Sequence, residues 1–168
     1  MQAPSSQSPA PSVAASASDD TVVRRGRVSW LTHPPSGIAR VESDSNAFHA
    51  MPVNLPQDDP TLHDATPGEL LAIAYGMFMA AALAELLVSS GSPADEIVVE
   101  VDCVFAGTFP ERELAEIVFR VAGRVPGLEA TDFRRIAEEA RSRSLRSTGG
   151  RDDVACSLES DLYVSQPT

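Results

Sequence analysis

The stretch GELLAIAYGMFMAAALAELL, Gly68 to Leu87, constrains this chain more than any other part of it. From Leu70 to Ala84 no charged residue interrupts it. A helix there is apolar on every face, whereas a surface helix carries a single apolar stripe. Its uncharged core is shorter than the ~20 residues that cross a bilayer. Glu69 and Glu85 bracket that core, and five alanines stand between Ala72 and Ala82. Small side chains suit close backbone packing better than lipid contact, so no membrane partner is expected. A chain of 168 residues can rarely enclose such a helix unaided, and the pattern therefore points to a second subunit.

The signals around this helix are specific. Thr66 is placed to be its N-cap, Pro67 takes the first helical position, and Glu69 completes a capping box three residues after Thr66. SSGSP ends it. Upstream, VVRRGRVSWL and GIARVES alternate apolar and polar residues and read as two antiparallel strands across a Pro/Gly turn, THPPSG. Asp44 to Asp64 reads as a long irregular stretch, which in a compact domain is usually functional or mobile. Downstream, DEIVVEVDCVFAG is a strand with Ile97, Val99, Val101, Cys103 and Phe105 on one face. ERELAEIVFRVAGRVP has the alternation of a strand, although its charged start can also open a helix. EATDFRRIAEEARSRS is an amphipathic helix with Phe133, Ile136, Ala137 and Ala140 inward. DVACSLESDLYV closes the chain as a strand with Val154, Cys156, Leu158 and Leu162 on one face. The order of strands, helix, strands, helix, strand predicts an α+β fold with antiparallel pairing.

Composition narrows the function. A net charge of -11, from 13 basic and 24 acidic residues, argues against nucleic acid as a partner, because phosphate binding needs a basic surface. All the basic residues are arginine, which removes Schiff-base chemistry, a Walker-type lysine and lysine-bound pyridoxal phosphate. Two cysteines, Cys103 and Cys156, are too few for a disulfide scaffold or a thiolate zinc site. The first 20 residues, rich in Pro, Ser and Ala, read as a disordered tail without a secretory signal. Residues 21–168 then form a single domain, expected in the cytoplasm.

With these residues on the page, the chain resembles the OsmC/Ohr family of osmotically inducible and organic hydroperoxide resistance proteins. TPGELLAIAYGMFMAAAL is similar to the family's Pro-Glu helix start and long Ala-rich helix, and VPGLEATDFRRIAEEA to its Val-Pro-Gly-Leu turn and second helix. The match runs from about Val22 to Val164. It implies an intertwined homodimer, in which two long central helices are enclosed by antiparallel sheets from both chains. It also implies thiol chemistry: a peroxidatic cysteine on the central helix, held as thiolate by an arginine and a glutamate, and a resolving cysteine on the second helix.

Carried over position by position, none of these four residues is present. The peroxidatic position falls on Phe78 and the resolving position on Ser144. The glutamate position falls on Gly68, with Glu69 one residue on, and the arginine position falls near Gln57 and Asp58. No arginine occurs between Val41 and Phe105. Cys103 and Cys156 lie on the apolar faces of strands, where an unpaired cysteine behaves as a small hydrophobe. Thiol-peroxidase activity is accordingly not expected, and whether the chain is an enzyme at all stays open.

Phe78 beside Met77 and Met79 makes the old active-site position more apolar. The expectation is a dimer-interface cleft for an apolar small molecule, lined by Tyr75, Phe78, Met79, Asp58 and Ser144. The acid–base candidates are His63, Asp64, Glu69 and Ser144, weighed against plain solvated loop and cap roles, which no catalytic spacing overrides. His49, His63 and the neighbouring Asp58, Asp59 and Asp64 match no metal motif, so no metal and no cofactor is assigned. Two alternatives remain: a divergent thiol-dependent organic hydroperoxide reductase using Cys103 or Cys156, and a non-catalytic structural or regulatory dimer.

Overall fold

The computed structural model describes residues 23–30, 37–55, 64–108, 111–150 and 153–163. The N-terminal tail and the Pro/Gly connection between the first two strands lie outside them. Eight elements follow in chain order: β1 Gly26–Trp30, β2 Gly37–Ser43, β3 Met51–Leu55, α1 Pro67–Ser89, β4 Glu96–Ala106, β5 Glu113–Arg124, α2 Ala130–Ser147 and β6 Ala155–Leu162. They make two three-stranded sheets, β1-β2-β3 and β4-β5-β6. The fold is α+β, as expected.

Two details differ from the expected pattern. The stretch from Asp44 to Asp64 contains a strand, because Met51 and Val53 alternate and Val53 is buried against β2. Pro52 is tolerated there because β3 is an edge strand. Pairing is also not wholly antiparallel: β5 and β6 run parallel, Ile117 opposite Cys156 and Phe119 opposite Leu158. Parallel neighbours need a long crossover, and α2 supplies it, carrying the chain back to the starting end of β5. The ambiguous segment before α2 is strand β5, with Ile117, Phe119 and Val121 all buried on one face.

The core lies between the inner face of β4-β5-β6 and the two helices. Tyr75, Met79, Leu83 and Leu86 form one stripe of α1, and Phe133, Ile136, Ala137 and Ala140 one stripe of α2. Their three- and four-residue spacing puts each set on a single helix face. Gly123 is required where the two layers meet: a Cβ there would lie 2.7 Å from the Phe133 ring. The sheet β1-β2-β3 stands apart, joined to this body at the Val53–Ala65 bridge just ahead of α1.

Candidate functional site

Helix α1 begins as its sequence predicts. The Thr66 hydroxyl accepts from the Glu69 backbone N–H at 3.2 Å, and a Glu69 carboxylate oxygen accepts from the Thr66 N–H at 2.7 Å and its hydroxyl at 2.8 Å. These bonds from the Thr66 backbone and side chain hold the Glu69 carboxyl below its ordinary value. Glu69 is thereby committed to the cap. Asp64 is partly buried just ahead of it, while Asp58 and His63 lie outside the described residues.

The cleft residues expected from sequence are divided between opposite sides of α1. Tyr75 and Met79 turn inward, and Tyr75 meets Phe119 edge-on, ring centroids 6.4 Å apart. Ser144 is buried on the inner face of α2, its hydroxyl donating to the Arg141 carbonyl at 3.0 Å. Phe78 instead points outward, 46% exposed. It shares a stripe with Glu85, seven residues on, which Arg143 of α2 approaches at 3.8 Å. The outer face continues through Ile73 (60% exposed), Met77 (67%) and Val88 (65%). By length and composition α1 is apolar enough to cross a membrane, yet one face of it is core and the other is this bare apolar strip.

Beside the strip runs a groove between α1 and β4. Its apolar end, about 290 Å³, is lined by Ala72, Ile73, Gly76, Met77, Ala80, Val99 and Val101. Gly76 faces β4 at close range, where a Cβ would sit in ordinary van der Waals contact with a Val101 methyl at 3.5 Å. The groove continues past Ala72 and Val101 into a polar end of about 300 Å³, where Glu69, Asp102, Cys103 and Arg112 gather. Asp102 is paired with Arg120 at 2.7 Å. Arg112 was not anticipated from the sequence, because the arginine was sought ahead of α1 and not in the β4–β5 hairpin. Its only signal there was the charged PERELAEI segment.

The two cysteines are free and partly buried on the inner face of the sheet. Cys103 pairs in register with Ile117, and Ile117 with Cys156. One full strand therefore separates them, which places their Cα atoms ~10 Å apart, beyond the reach of a disulfide. Burial, and then the neighbouring Asp102 charge, push the Cys103 thiol above its ordinary value. Among the described residues no group of three or more His, Cys, Asp or Glu side chains is placed to hold a metal.

No protein-family model matches this sequence, and no curated protein matches it either. Solved structures do match its fold. An OsmC-like protein of unknown function from Vibrio cholerae is 10% identical with a TM-score of 0.67, over 83% of this chain and 99% of its own. An organic hydroperoxide resistance protein OsmC from Legionella pneumophila is 14% identical with a TM-score of 0.62, over 84% and 98%. An organic hydroperoxide resistance protein from Elizabethkingia anophelis, with thiocyanate bound, is 14% identical with a TM-score of 0.63, over 88% and 100%. At such identities the likeness is one of architecture.

Proposed function

Taking the OsmC/Ohr fold of this chain as the premise, we propose that it is a cytoplasmic homodimer that binds an apolar small molecule at the subunit interface and lacks the family's peroxidase chemistry. One observation carries the reading: α1 leaves Ile73, Met77, Phe78 and Val88 bare beside an apolar groove of about 290 Å³. Covering four such side chains is worth at most about 6–12 kcal/mol before the cost of association. A second α1, itself apolar all round, is the surface that matches it. The groove then becomes a partly enclosed cleft with an apolar wall and a polar end at Glu69 and Arg112. Phe78 sits where the resembled family has its reactive sulfur, and a phenyl ring offers no nucleophile.

Fluorescence titration with an environment-sensitive apolar dye and a panel of aliphatic and aromatic ligands tests this. Saturable binding, competed by the panel and lost in Met77→Glu, is the expected result. Absence of saturable binding by a dimeric protein removes the ligand reading while leaving the dimer in place.

A second reading has a specific observation in its favour, since Cys103, Glu69 and Arg112 line one groove. Those are the residue types of thiol-based hydroperoxide reduction. Against it stand the raised Cys103 thiol, the commitment of Glu69 to Thr66, and a Cys156 one strand too far to resolve a sulfenic acid. Hydroperoxide turnover with dithiol reductant, abolished by Cys103→Ser, would establish it in place of the first reading.

A further inference from the structure

We draw no further inference here: the strongest candidate, the cavity of about 620 Å³ between α1, the start of β5 and the approach to β6, carries nothing because it offers only the acidic Glu113 and Asp153 beside an open space, where Asp153 and Arg112 already have partners.

Discussion

Single residues decide what chemistry the helices and strands of this chain can offer. At position 78 a phenylalanine, which offers no nucleophile, stands half-exposed on the outer face of α1, and at position 144 a buried serine bonds to its own helix. Cys103 and Cys156, the two thiols of the chain, are held apart by β5. Air or diamide oxidation of the native protein should therefore give no intramolecular disulfide, checked by intact mass after alkylation. Gly123 is the tightest position in the core. Gly123→Ala must displace the Phe133 ring, and it should lower stability by about 1–3 kcal/mol in urea unfolding. Thr66→Ala removes half of the capping box and should cost about 1 kcal/mol. That second effect depends on pH with a defined sign. The folded state lowers the Glu69 carboxyl, so the capping contribution is complete above the ordinary carboxylate value and fades as pH falls through the lower folded value. The gap between wild type and Thr66→Ala should narrow in acid without closing, because the bond from the Glu69 N–H to the Thr66 hydroxyl does not titrate.

At the scale of elements, α1 carries the argument. Its inner stripe is satisfied by β4, β5 and α2, and among the described residues nothing covers its outer stripe. Met77→Glu places a charge in the middle of the bare strip without touching the core. It should yield a folded monomer, seen by light scattering with an unchanged circular dichroism spectrum. An unfolded product would mean that the outer face is needed for folding itself. The boundaries of this helix were legible residue by residue, since capping and breaking are local chemistry: Thr66, Pro67, Glu69 and Ser90 act within one turn. Strand β3 was not legible, because five residues containing a proline satisfy no local pattern strongly, and only the neighbouring β2 makes them a strand. The direction of β6 was hidden for the same reason. Periodicity says which side chains face inward and nothing about which way a strand runs.

For the whole molecule, an interface built on α1 is apolar, and its assembly should be nearly indifferent to salt. The solution mass should be twice the 17.8 kDa of one chain at both low and high ionic strength. A mass of one chain would leave the apolar strip in water and contradict the proposed dimer. The candidate site, unlike the fold, was only partly legible. Its parts come from α1, β4 and the β4–β5 hairpin, and no short-range spacing joins them. Tyr75 and Phe78 stand three residues apart and read as one apolar cluster, yet the first is buried and the second exposed. The sequence by itself determined the capped, uniformly apolar helix and the α+β order, because these follow from residue identity and contacts within a few positions. Only the tertiary structure decided which face of that helix stays open and that Arg112 lines one groove with Glu69 and Cys103. Those outcomes depend on how distant segments divide one helix surface among themselves.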